Sequence, residues 1–153
     1  VILAFLTEVF TSESQQSTVP LFNKPKTMEH TTELLKMAEW KNFSTPDEVR
    51  QFPKGKLELI HIGGATIGRG TFEPGWHWAE SVQPIAKTHS CEAPHFQYHI
   101  SGVLHVVMDD GTEFDCRPGD VSMLPSGHDA WTVGNEPAVV VDFQGMVEYA
   151  KLH

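Results

Sequence analysis

Apolar runs and turn-forming clusters divide the chain into stretches of different character. From residue 57 onward, short β-prone runs recur at 57–62, 65–72, 103–108, 112–116, 121–124, 130–133 and 138–143. Between them stand Gly63-Gly64, Glu73-Pro74-Gly75, Asp109-Asp110-Gly111, Arg117-Pro118-Gly119-Asp120, Pro125-Ser126-Gly127 and Gly134-Asn135-Glu136-Pro137. Short runs bounded by such residues are strands. Many of them with regular turn punctuation predict an all-β sandwich or barrel. Upstream the pattern changes. Over 31–43, Leu34, Leu35, Met37, Ala38 and Trp40 make an apolar stripe behind a threonine cap, which predicts a short helix. Thr45-Pro46-Asp47-Glu48 has the form of a capping box with proline at the first helical position, and predicts one helical turn to about Gln51. Residues 146–152 predict a closing helical turn.

The expected organisation is an arm over 1–27, a helical segment over 28–56 and a β domain over 57–153. The arm begins with the apolar VILAFLTEVF and continues with the polar TSESQQSTVP. It is expected to have low order; a strand on a partner's sheet edge and a leader outside the domain are the alternatives. Its opening lacks the basic flank and cleavage site of a signal peptide. No apolar run reaches transmembrane length.

The chemistry concentrates in residues 89–128, which hold five of the nine histidines and both cysteines. His89, Cys91, His95, Gln97 and His99 share one parity, so in an extended chain they project to one face. His128 follows the Pro125-Ser126-Gly127 turn. Imidazoles and a thiolate on one face of packed strands point to a metal. Each residue also has a plainer role. Cys91 can pack as a small hydrophobe, and the histidines can be hydrogen-bonded interior residues. Trp76, Trp78 and Trp131 can be core or rim aromatics, or wall a ligand pocket.

This stretch resembles the two-motif core of a cupin. The first motif, H-x-H-x3-4-E-x6-G, is matched in register by His89-x-Cys91-x3-His95-x6-Gly102. The second, G-x5-P-x-G-x2-H-x3-N, is matched by Gly119-x5-Pro125-x-Gly127; Ala130 stands at the histidine position and His128 lies two residues earlier. The segments FEPGWHWAESVQPIA and PSGHDAWTVGNEP resemble a bacterial subfamily of small single-domain cupins without a defined activity. The likeness covers roughly residues 46–151. It implies a cupin-type antiparallel β-barrel (a jelly roll) with short N-terminal helices and a metal inside. Here His95 occupies the family's glutamate slot and Cys91 the second histidine's. His128 shares the parity of residue 130, about 7 Å away along an extended strand. The expected ligands are therefore Cys91, His95, His128 and His99, with His89, Gln97, Trp76 and Trp131 around the pocket. This nitrogen- and sulfur-rich set favours zinc over iron, nickel or copper, which remain the alternatives.

Composition narrows the partners. A formal net charge of −9 argues against nucleic acid and against anionic membrane surfaces. Two cysteines make no disulfide framework and suit a cytoplasmic protein with reduced thiols. No nucleophile elbow, phosphate loop or dinucleotide fingerprint occurs. The expected partners are a small oxygen-containing molecule and a second copy of the chain. Two functions stay open: a metal-dependent oxygenase or lyase/isomerase, and a non-catalytic metal- or ligand-sensing module.

Overall fold

The computed structural model describes residues 38–151. Its elements, in chain order, are β1 (Glu48–Phe52), β2 (Gly55–Ile62), β3 (Ala65–Phe72), the single helical turns α1 (Trp78–Ser81) and α2 (Gln83–Ala86), then β4 (His95–Ser101), β5 (Val103–Met108), β6 (Glu113–Cys116), β7 (Val121–Leu124), β8 (His128–Val133) and β9 (Ala138–Asp142). They form a six-stranded sheet in the order β1-β2-β3-β9-β4-β7 and a three-stranded sheet in the order β6-β5-β8. All pairings between these strands are antiparallel. The fold is thus the all-β sandwich that the strand pattern predicts, built as two sheets with the core between them, as the jelly roll implied by the resemblance requires. Leu57, Val106 and Val140, each with no exposed surface, mark that core.

The chain passes from one sheet to the other between β4 and β5, at Gly102. Its φ is 65°, and a Cβ there would lie 2.4 Å from the carbonyl oxygen of Pro137. Only glycine fits both constraints. The turn at Gly63-Gly64 also has positive φ at both residues, 56° and 77°, as a two-residue hairpin requires.

Two helix expectations are corrected, and a third is reached only at its C-terminal end. The capping box at Thr45–Glu48 does not start a helix; Glu48–Phe52 is β1 and pairs with β2 from Glu48↔Leu59 to Phe52↔Gly55. The Asp47 carboxylate accepts from the His61 backbone N–H at 2.7 Å, and the Asp47 N–H donates to the Leu59 carbonyl at 2.8 Å. Pairing with a neighbouring strand outcompetes a local cap. Of the stripe over 31–43, residues 38–43 are not helical, and the remainder lies outside the described residues. The arm over 1–27 lies outside them as well. Residues 146–150 form turns, not a helix. The buried Arg50 guanidinium claims their carbonyls, donating to Met146 at 3.1 Å, Val147 at 2.8 Å and Tyr149 at 2.7 Å.

β4 inverts the usual strand pattern. His95, Gln97 and His99 are buried, while Phe96, Tyr98 and Ile100 face out at 40%, 44% and 46% exposure. Burying polar side chains costs free energy unless they are paired. The inversion therefore marks β4 as the strand around which a site is built.

Candidate metal centre

Two backbone contacts and one strand start bring the cluster together. Cys91 and His128 form an isolated antiparallel bridge, with Cys91 N–H donating to the His128 carbonyl at 2.7 Å and Gly127 N–H donating to the Cys91 carbonyl at 2.8 Å. His95 opens β4 with its ring turned inward. The Cys91 Sγ lies 3.6 Å from His95 Nε2, and one ligand atom from each of Cys91, His95 and His128 lies within 4.8 Å of the others. All three residues are buried.

The tautomers follow from the outer hydrogen bonds. His95 Nδ1 faces the Asp142 carboxylate at 2.5 Å. His128 Nδ1 donates to the Pro125 carbonyl at 2.9 Å. A proton held on Nδ1 leaves Nε2 as the free lone pair of a neutral imidazole. A buried carboxylate behind a ligating histidine fixes ring orientation and raises its basicity, as at many metal sites. Asp142 is itself fully buried, and it also accepts from Gln97 Nε2 at 3.0 Å and from the Gln144 backbone N–H at 2.6 Å. The chain that follows Asp142 runs close under His95. At Gly145, with φ 91°, a Cβ would meet the Pro94 carbonyl oxygen at 1.9 Å. Gly145 thus lets Met146 and Tyr149 reach the cavity.

Without a metal, the cluster holds a thiolate against an imidazolium. Burial alone would raise the Cys91 thiol, but hydrogen bonds from His128 and His95 and their charge prevail and lower it from 9.0 to about 6. Burial alone would lower His95, but its hydrogen bonds to Asp142 and Cys91 prevail and raise it from 6.5 to about 9. A depressed acid stabilises the fold above its unfolded value, and that contribution is lost as pH falls from 9.0 through about 6. A raised base stabilises the fold below its unfolded value, and that contribution is lost as pH rises from 6.5 through about 9. Between these limits the folded chain carries one proton fewer on Cys91 and one more on His95 than the unfolded chain, so the slopes cancel. The metal-free protein is expected to show constant stability from pH 6.5 to about 9. Cys91→Ser leaves only the His95 contribution and is expected to lose stability as pH rises across that window. Denaturant midpoints over a pH series read this out; a parent as pH-dependent as the variant would show that the pair does not exist.

The cluster borders a cavity of about 20 Å³, large enough for an ordered water or comparably small group. Trp76, Trp78, Gln97 and Tyr149 line it together with the three candidate ligands. The Nε1 atoms of Trp76 and Trp78 and the Oε1 atom of Gln97 are buried without a hydrogen-bond partner among the described residues. Each such group costs about 1–3 kcal/mol if left unpaired.

The structure therefore brings Cys91, His95 and His128 together, with Gln97 and Trp76 in the cavity wall. It does not bring in the other expected residues. His99 is buried on the same face, but its Nε2 pairs with Ser122 Oγ at 2.9 Å and it stands outside the cluster. His99 lies four residues of rise from His95 along β4, roughly 13 Å, too far for a shared ion. His89 is exposed in a bend ahead of Cys91. Trp131 is half-buried and packs between the rings of His77 and His105, with centroids at 5.3 Å and 4.4 Å, away from the cavity. Sequence reasoning passed over Asp142 and Tyr149. Asp142 left one signal: a lone carboxylate in register with Ala138 and Val140 on an otherwise apolar strand. Tyr149 left none, because Arg50 and Gly145 position it.

No family model matches the chain, and no curated protein does. Solved structures do. The polyketide cyclase RemF from Streptomyces resistomycificus aligns with a TM-score of 0.51 at 16% identity, covering 69% of this chain and 78% of that one. A cupin-superfamily sugar phosphate isomerase from Silicibacter pomeroyi aligns with a TM-score of 0.46 at 21% identity, covering 62% and 68%. A Lactobacillus farciminis oxalate decarboxylase aligns with a TM-score of 0.46 at 18% identity, covering 65% of this chain and 31% of that one. This chain shares its fold with the cyclase. At such identities the likeness is one of fold and does not extend to chemistry. What distinguishes this chain is its own donor set: one sulfur and two imidazole nitrogens, all buried. Those are the donors a divalent late-transition metal takes.

Proposed function

We propose that this chain is a cupin-type protein that binds one divalent metal through Cys91, His95 and His128, and that the metal holds a small oxygen-containing molecule in the adjoining cavity. The observation that carries this reading is the convergence of three buried ligand atoms within 4.8 Å, two of them on histidines whose tautomers are set from behind. Zinc suits a tetrahedral set of one thiolate and two imidazoles, with the fourth position left for a ligand. A metal so held can polarise a carbonyl or carboxylate oxygen. This favours lyase or isomerase chemistry over an oxygenase, because no carboxylate lines the cavity and Asp142 is committed to His95. The same absence of a free carboxylate base supports the second reading, a sensing module without turnover.

Elemental analysis after dialysis against zinc tests the first step. One zinc per chain, displaced by chelator, is the expected result; a protein that retains no divalent metal contradicts the reading. Turnover screens with small oxygenated acids then separate enzyme from sensor.

We further read the outward side of β4 and β7 as the contact for a second copy of the chain. Val121 and Met123, at 64% and 72% exposure, lie beside Phe96 and Tyr98 on the edge of the larger sheet. Exposed apolar edges of this kind are commonly covered. Sedimentation of the full chain should show a dimer that Met123→Lys weakens. A monomer at micromolar concentration counts against this assignment.

A further inference from the structure

We propose that residues 145–151 form a strap over the metal centre, latched by Arg50, whose opening moves Tyr149 aside and joins the water-sized cavity to a larger pocket next to it. The motion stands on packing alone; what it admits, a metal ion and then a small ligand, rests on the metal reading.

Cys91, His95 and His128 are buried, and the cavity next to them takes about one water, so nothing larger reaches them unless a wall moves. A second pocket, of about 310 Å³, shares Trp78, Cys91 and Tyr149 with that cavity. Its volume lies at the lower end for small-molecule sites, which run from about 300 to 1,000 Å³. Tyr149 is thus a wall of both spaces, its ring 5.5 Å from the His95 ring and 6.3 Å from that of Phe52. Most of the cavity wall cannot move without breaking a sheet. It comes from β3, β4, β5, β7 and β8, and the Cys91 backbone is bridged to His128. The Trp76 carbonyl accepts from the Thr132 N–H at 3.1 Å. Met146 and Tyr149 differ, because residues 145–151 lie in no strand or helix. Among the described residues, every hydrogen bond tying the backbone of 145–151 to the rest of the chain comes from one side chain, Arg50. A segment held at one point opens locally, well short of global unfolding. Glu48 in turn holds the Arg50 guanidinium, at 2.7 Å and 3.2 Å. Ala150 has a φ of 51°, a left-handed conformation that costs an alanine free energy and is relieved when the strap lifts.

Iodoacetamide is the probe, applied to the metal-free full chain, with labelling at each cysteine read by peptide mass spectrometry. The chain has two cysteines, both buried. Lifting the strap uncovers Cys91. Cys116, on β6, lines neither space and reacts only when the sheets part. Arg50→Lys keeps the charge but not the fork that reaches three carbonyls. It is expected to label Cys91 at least about tenfold faster with Cys116 unchanged, the factor for one lost charged hydrogen bond. Glu48→Gln leaves Arg50 in place but loosens it; a smaller acceleration in the same direction is expected, and it serves if Arg50→Lys does not fold. Acceleration of both cysteines together would show that Arg50 holds the whole fold, and no acceleration would show that it latches nothing; either result overturns the strap. Zinc release to a chelator separates the two readings. If Cys91 labels faster in variants of a protein that takes up no zinc, the strap stands and the metal reading falls. If zinc binds and neither its release nor the labelling of Cys91 is faster in the variants, the strap falls and the metal reading stands. Faster release with faster labelling supports both.

Discussion

His95→Ala is expected to abolish zinc binding and to destabilise the fold by about 3–5 kcal/mol, the cost of leaving a buried charge without its partner. The partner is Asp142, which has no exposed surface and faces His95 Nδ1 at 2.5 Å. Small domains are stable by only about 5–15 kcal/mol, so the variant should unfold at markedly lower denaturant. Gln97 and the Gln144 N–H still reach Asp142, which keeps the loss from being larger. His95→Gln supplies the control. Its amide can donate to the carboxylate, so it should recover much of the stability while still binding no zinc. Denaturant titration and elemental analysis of both variants separate the two roles. Parent-like stability in His95→Ala would show that the Asp142 contact does not hold the fold.

Cys91→Ser is the second large effect. Serine is nearly isosteric, so the protein should keep its fold, yet a hydroxyl is a poor ligand where a thiolate is required. Zinc affinity is expected to fall by more than about 100-fold, beyond the 10–100-fold cost of losing an outer partner of a ligand. A harder ion should lose less, because sulfur contributes less to its binding. The parent should release metal as acid protonates the thiol, whose value is about 6. Chelator competition across a pH series measures all three. If Cys91→Ser held zinc as tightly as the parent, the thiolate would not be a ligand.

The strands and their turns were legible because each run is bounded by residues with fixed turn chemistry; 65–72 and 103–108 match β3 and β5 residue for residue. The inward parity of Cys91, His95 and Gln97 was legible for the same reason, since alternation is a property of any strand. The strand at 48–52 was not, because the capping box at Thr45 is only a local preference and Asp47 finds a stronger partner in the backbone of β2. His99 illustrates the limit of parity: it shares a face with His95, yet the Ser122 hydroxyl on the adjoining strand takes its Nε2. His128 stands two residues ahead of the predicted strand over 130–133; the structure begins β8 with it, and the bridge to Cys91 carries it into the cluster. Asp142 and Tyr149 belong to the site through pairing of β9 with β4 and through the carbonyls held by Arg50, and such long-range contacts leave little trace in neighbouring residues.

X-ray absorption at the zinc edge of the loaded protein tests the central claim most directly. The account predicts one sulfur at about 2.3 Å and two imidazole nitrogens at about 2.0–2.1 Å, with one further light ligand, and loss of the sulfur shell in any zinc retained by Cys91→Ser. A first shell of nitrogen and oxygen alone would contradict it.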